Sequence, residues 1–205
     1  MTDTSPAAPP VPAAPSLADK PTFADKPTLL GDLVLLRPVG AADVPGLIEM
    51  LGDPESMRLT GLHHTAADPE VAANWYATRA EHDDRIDLAV IERASGEYVG
   101  EVVLNELDQN NNCCGFRICL IGPRAFGRGL GTEATRLVLA HAFDTVGINR
   151  IELEVYDFNP RARSVYEKVG FVHEGTKRQA LYWEGAWVDA HLMAILADDW
   201  TTRQA

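Results

Sequence analysis

Arg124-Ala125-Phe126-Gly127-Arg128-Gly129-Leu130-Gly131 is the stretch on which the reading of this chain turns. Glycine recurs there at every second position, directly after an extended pattern over Cys114–Ile121 and at the entrance of a helical pattern over Leu130–Val146. A backbone without Cβ atoms can approach a bulky ligand closely and adopt angles other residues resist. The unpaired N–H groups of a helix start then face phosphate oxygens, helped by the helix dipole. Arg124 and Arg128 add positive charge. The same spacing also suits a plain tight turn. It is not a nucleoside-triphosphate loop, which ends in Gly-Lys-Ser/Thr, nor a good match to GxGxxG.

Outward from this loop the pattern alternates between strands and helices. Upstream, a strand is expected at Leu33–Pro38, then a helix Val44–Leu51 capped by Asp43, a turn at Asp53-Pro54, and a helix over Glu70–Glu81 with Val71, Trp75 and Thr78 along one side. Strands are expected at Asp87–Ile91 and Tyr98–Leu107, followed by Cys114–Ile121, in which Phe116, Ile118 and Leu120 share one face and Arg117, Cys119 and Ile121 the other. Downstream, Ile151, Leu153 and Val155 alternate with polar neighbours, Pro160–Val169 reads as a short helix, and Phe171–Glu174 and a stretch ending near Leu196 supply further strand. This order predicts an α/β (α+β) fold with antiparallel and parallel pairing. A doubly wound dinucleotide fold fits poorly, because its glycine loop follows the first strand.

The 205 residues include seven prolines within the first 27, and ADKPT occurs at Ala18–Thr22 and again at Ala24–Thr28. Residues 1–28 therefore read as a disordered Pro/Ala-rich tail, and residues 29–205 as one domain. Net charge is -12, with 30 acidic against 18 basic residues. Such a surface repels nucleic-acid backbones and anionic lipid, so neither is expected as partner. No run is long and apolar enough to cross a bilayer, and the start lacks a basic-then-apolar leader, so a cytoplasmic protein is expected. Cys113, Cys114 and Cys119 read as free thiols packed in a strand, and no His/Cys/Asp spacing predicts a metal.

Two segments together resemble the GCN5-related N-acetyltransferase (GNAT) superfamily. Arg124, Gly127 and Gly129 match its Arg/Gln-x-x-Gly-x-Gly/Ala hallmark, with Gly131 and Glu133 continuing the helix entrance. Asn159, Tyr166, Gly170 and Phe171 match the Asn-x6-Tyr-x3-Gly-Phe segment downstream. The resemblance spans about Leu33 to Trp200. Leu36-Arg37-Pro38, Gly100 and Trp187-Val188-Asp189 are similar to the branch typified by ribosomal-protein-alanine acetyltransferases, a pattern that spermidine acetyltransferases largely share.

The resemblance implies a largely antiparallel twisted sheet flanked by helices, with two strands splayed to admit acetyl-CoA and direct acetyl transfer to a primary amine. The acceptor implied is a protein N-terminal α-amine, or else a polyamine, small metabolite or antibiotic; a homodimer is a further expectation. Backbone around Cys119, Leu120 and Ile121 would meet the thioester. Arg124, Phe126, Gly127, Arg128, Gly129, Leu130, Gly131 and Thr132 would hold the pyrophosphate, and Asn159 would contact CoA or simply cap its helix. Tyr166 matches the family's general acid for the departing thiolate, though a packed aromatic fits as well. Glu101 is the first choice for a base, with Glu106, His63 and His64 as alternatives and an acceptor-orienting role also open. Tyr182 and Trp187, with Trp183 and Asp189, could line an acceptor channel, as could His63 and His64. A module that binds acyl-CoA without turnover is the rival reading.

Overall fold

In the computed structural model, residues 20–63 and 68–204 are described. The chain forms β1 (Leu29–Leu30), β2 (Val34–Pro38), α1 (Val44–Gly52), α2 (Pro54–Thr60), α3 (Pro69–Arg79), β3 (Ile86–Glu92), β4 (Tyr98–Asp108) and β5 (Cys113–Leu120). It continues with α4 (Gly122–Ala125), α5 (Leu130–Ala140), β6 (Arg150–Tyr156), α6 (Pro160–Val169), β7 (Val172–Trp183), β8 (Ala186–Leu196) and α7 (Ala197–Gln204). The eight strands make one sheet in the order β1-β2-β3-β4-β5-β6-β8-β7. Every neighbouring pair is antiparallel except β5 and β6. This is the mixed α+β sheet that the element order predicts, mostly antiparallel as the resemblance implies.

Two apolar layers sandwich the sheet. On one face Leu36, Leu88, Val90, Val102, Leu104 and Phe116 meet Leu130, Ala134 and Val138 of α5 and Tyr166 and Val169 of α6. On the other, Ala89, Ile91, Cys119 and Ile121 meet Leu47 and Met50 of α1 and Ala72 and Tyr76 of α3. All seven residues of β3 are buried as a result, including Asp87, whose carboxylate accepts two 2.6 Å hydrogen bonds from Arg85. A buried carboxylate without such a partner would be strongly disfavoured.

Five expectations change. Residues 20–28 pack onto the domain instead of belonging to a free tail: Phe23 is fully buried, and the Lys26 ammonium donates to the carbonyls of Phe23, His82 and Arg85. One aromatic side chain outweighs the proline-rich composition around it; residues 1–19 lie outside the described residues. Asp43 does not cap α1; its carboxylate forks with Arg37 at 2.7 and 2.8 Å. On α3 the inward face is Ala72 and Tyr76, while Val71 and Trp75 are 66% and 47% exposed. Two stripes, each with members four residues apart and offset from one another by one residue, compete on this helix, and Tyr76 wins because its hydroxyl finds buried partners. Beyond β6, the short strand expected at Phe171–Glu174 becomes the first part of a long hairpin, β7 and β8, turning at Glu184-Gly185 with φ of 47° and 87°. The helix expected over Leu130–Val146 is α5 followed by a wider π turn at His141–Val146, closed by left-handed Gly147.

Candidate active site

Strands β5 and β6 are paired only at Cys113/Arg150, Cys114/Ile151 and Gly115/Glu152. Past Gly115, β5 stays with β4 as far as Leu120, while β6 stays with β8 as far as Tyr156. The two strands therefore part, and their backbones open a cleft of about 1040 Å³ between them. Its walls include Cys119 and Leu120 of β5, Leu153 and Val155 of β6, and Tyr166 of α6. Helix α2 crosses the opening on the α1/α3 side, where Ser56, Leu59 and Thr60 line the cleft. Ser56 holds it there: its hydroxyl donates to the Leu120 carbonyl at 3.0 Å and accepts from the Gly122 N–H at 3.1 Å.

Gly100 sets the shape of β5 at this point. Opposite Leu120 in the ladder, it has a φ of 152°, and a Cβ there would lie 2.1 Å from the Cys119 carbonyl oxygen. Only glycine permits that approach.

At one end of the cleft lies the glycine loop. Gly129 (φ 83°) is the N-cap of α5 and offers no capping side chain. Among the described residues, no acceptor meets the N–H groups of Gly127, Arg128, Gly129, Leu130, Gly131 or Thr132. A Cβ on Gly127 would meet nothing within 4 Å, so open space borders the loop at that residue. Phe126, Gly127, Gly129, Gly131 and Thr132 line the cleft. An anion fits this end by both geometry and dipole.

The loop arginines lie elsewhere. Arg124 forks with Glu49 at 3.0 and 3.1 Å and reaches Glu97 and the Tyr98 carbonyl. Arg128 pairs with Glu92 and donates to the Arg124 carbonyl. Neither guanidinium faces the cleft. Arg161 of α6 does line the cleft, and it stacks 3.8 Å over the Phe126 ring of the loop. Its place in the turn after Asn159-Pro160 carries no periodic signal, so it was not legible in sequence. Leu130 and Ile121 are buried in the core, leaving at most their backbone for a ligand.

Tyr166 is 7% exposed, edge-on to Phe116 at 5.9 Å. Its hydroxyl has no hydrogen-bond partner among the described residues, and it lines the cleft. Burial, with the Cys119 thiol beside it, pushes its pKa well above the ordinary phenol value, so it holds its proton. Burial likewise pushes Cys119 up to about 12, with Glu101 adding to the shift. It is a thiol, not a nucleophilic thiolate. Asn159 lines the cleft too, and its Oδ1 accepts from the Ala162 N–H at 3.1 Å, capping α6.

Glu101 does not line the cleft. It is buried on the α3 side of β4, where Oε1 accepts from Arg117 at 2.9 Å and Oε2 from the Tyr76 hydroxyl at 3.0 Å. Burial raises its pKa against the opposing pull of Arg117 and Tyr76. Arg117 reaches the cleft wall in its stead. Strand alternation foresaw that Arg117 and Cys119 share a face, but not which partner would sit across from them. Glu106 lines the cleft's outer part with Glu152, Glu154, Glu174, Arg150 and Lys177. There Arg150 bridges Glu152 (2.9 Å) and Glu174 (2.6 Å), and Lys177 pairs with Glu154.

The hairpin residues divide between two faces. Tyr182 and Trp187 are cross-strand neighbours with ring centroids 5.0 Å apart, both exposed and away from the cleft. Trp183, one position on, turns toward α2 and stacks on His63 at 5.2 Å. His64 lies outside the described residues. Tyr156, read from sequence only as the polar side of β6, lines the cleft. A Cβ on Gly61 would fall 2.4 Å from its ring, so α2 ends directly against it.

A parallel pair that parts in an otherwise antiparallel sheet, with a glycine loop at its end, is a specific architecture. A family model described as "Acetyltransferase (GNAT) domain" matches residues 34–172. The chain belongs to the GNAT acetyltransferase family. It is an acetyl-CoA-dependent acetyltransferase. Among its relatives, "Probable N-acetyltransferase YjcK" of Bacillus subtilis (strain 168) is 26% identical over 177 residues, covering 83% of this chain and 98% of that protein. "Spermidine N(1)-acetyltransferase" of Vibrio cholerae is 30% identical over 122 residues, 60% of this chain and 70% of that protein. A GCN5-related N-acetyltransferase from Brucella melitensis superposes with a TM-score of 0.73 at 25% identity, over 89% of this chain and 84% of that one.

Proposed function

We propose that this acetyltransferase moves the acetyl group of acetyl-CoA directly onto a primary amine in the cleft between β5 and β6. One observation carries the reading: the parting of β5 from β6 brings unpaired loop N–H groups and the unpartnered Tyr166 hydroxyl to one cleft. The N–H groups of Gly127 to Thr132 receive the pyrophosphate, with Arg161 beside them in place of Arg124 and Arg128. Backbone at Cys119–Leu120, pulled clear of β6, faces the thioester oxygen. Tyr166, held protonated, gives its proton to the thiolate as the C–S bond breaks, while the attacking amine loses one to solvent.

Glu101 acts in this scheme as a positioning residue. It anchors the guanidinium of Arg117, a residue of the cleft wall, and no carboxylate base on β4 is required. The carboxylates of the outer cleft are mostly paired with Arg150 and Lys177. A wall of both signs favours an acceptor with hydrogen-bonding groups beside its amine, such as a protein N-terminus, over a bare polycation. The spermidine-named relatives keep a polyamine as the second reading. A cytoplasmic homodimer is part of the proposal, and size measurement checks the dimer.

The test is release of free CoA from acetyl-CoA across a panel of N-terminal peptides, polyamines and small amines, with the acceptor's mass gain measured in parallel. Turnover with peptides but not polyamines supports the first reading, and the converse supports the second. Binding of acetyl-CoA without turnover on any amine would leave a non-catalytic acyl-CoA module.

A further inference from the structure

Behind α6, away from the cleft, three polar atoms form a near-equilateral triangle. His173 Nε2 of β7 lies 3.3 Å from His191 Nδ1 of β8. Thr176 Oγ1 lies 3.3 Å from each of them. The point equidistant from all three is about 1.9 Å from every atom, close to the distance at which imidazole binds zinc. We propose that His173, His191 and Thr176 form a binding site for one divalent transition-metal ion of borderline softness, such as Zn²⁺ or Cu²⁺, with solvent completing the coordination.

The surroundings support that assignment. His191 Nε2 is engaged by the Asp157 carboxylate. That contact keeps the proton on Nε2 and leaves the Nδ1 lone pair directed into the triangle, the arrangement by which a carboxylate orients a metal-ligating imidazole. His173 needs only to carry its proton on Nδ1 for its Nε2 lone pair to be free toward the other two atoms. The side chain of His191 is 16% exposed, so one ligand is held firmly while His173 stays accessible to an arriving ion. Arg163 Nη1 approaches His191 Nε2 at 3.5 Å, and its charge is offset by Glu167 at 3.0 Å. Imidazole nitrogen with hydroxyl and water suits zinc and copper better than magnesium or calcium, which prefer carboxylate oxygen.

The two histidines are 18 residues apart in sequence, and only the ladder brings them together. Thr176 is paired with His191, and a register shift after His173 turns that ring toward them. No group of three His, Cys, Asp or Glu side chains gathers among the described residues, so the site rests on two imidazoles and a hydroxyl. Its independence from the cleft matters for the test: His173, Thr176 and His191 do not line it.

Untagged protein, freed of metal by chelation, should be titrated with Zn²⁺ against a metal-sensitive dye and with Cu²⁺ in an electron paramagnetic resonance cell. The expected result is one equivalent bound, with nitrogen couplings from two imidazoles on Cu²⁺. His173→Gln, at an exposed position, should abolish that binding, as should His191→Gln. Asp157→Asn should weaken it by about tenfold. His82→Gln, a surface histidine elsewhere, should leave it unchanged. No stoichiometric binding by the parent protein, or binding unaffected by His173→Gln, overturns the proposal.

Discussion

The Arg117 guanidinium donates at 2.9 Å to the buried carboxylate of Glu101, and it is Arg117, not Glu101, that faces the cleft. The pair joins a closed polar nest under α3, in which Tyr76 and Tyr98 share a 3.0 Å hydrogen bond, to the open site between β5 and β6. If Glu101 only positions Arg117, Glu101→Gln and Arg117→Ala should raise the acceptor KM similarly, by about tenfold, and leave the shape of the kcat–pH profile alone. Loss of the acidic limb of that profile, with KM unchanged, would make Glu101 a base.

Tyr166→Phe removes a hydroxyl that has no protein partner, so melting temperature and acetyl-CoA affinity should hold. Turnover should fall about a hundredfold, the usual contribution of a positioned proton donor. Because burial keeps Tyr166 protonated, the parent enzyme should show no loss of kcat from this group up to the ordinary phenol range. Undiminished turnover in the variant would hand the proton to water.

Gly100→Ala places a methyl group 2.1 Å from a carbonyl oxygen at a φ of 152°. The strain and the clash should cost about 3 kcal/mol in a denaturant titration. The splay of β5 should suffer with it, seen as weaker acetyl-CoA binding in whatever fraction stays folded.

Phe23→Ala tests whether the segment before β1 belongs to the domain. Emptying a fully buried aromatic site should cost about 3–5 kcal/mol. Removing residues 1–19 instead should leave the denaturation midpoint in place, and a large loss there would assign them a packing role.

Acid should destabilise the fold through Glu92 and Glu174. The hydrogen bonds of Arg128 to Glu92 and of Arg150 to Glu174 lower both carboxyl pKa values from 4.5. For a group lowered on folding, the stabilisation is present above the unfolded value and is lost as pH falls through the folded one. Urea midpoints should therefore decline below about pH 4.5, and more shallowly in an Arg128→Gln/Arg150→Gln variant. Glu174 is the more exposed of the two carboxylates, while Glu92 is buried, so added salt should shrink mainly the Arg150–Glu174 share of the difference.

Much of this molecule was legible in its sequence because the signals are local. Strand alternation in β5 and β6, helix α6 between Pro160 and Gly170, and the glycines before α5 each depend on neighbours a few residues away. The GNAT resemblance at Arg124–Gly131 and Asn159–Phe171 rests on such short-range patterns, and the family match bears it out. Tertiary structure decided everything that depends on what lies across a gap. Arg124 and Arg128 meet Glu49 and Glu92, residues 75 and 36 positions away, and so leave the anion end to backbone and Arg161. Trp183, not Tyr182 or Trp187, turns toward α2, because hairpin register sets which face of alternate residues is inward. Phe23 is buried despite the prolines around it, since burial of one large side chain depends on a distant cavity and not on local composition. The spacing of residues along the chain determines the elements and the donor loop, but the partners of charged and aromatic side chains are chosen by three-dimensional proximity.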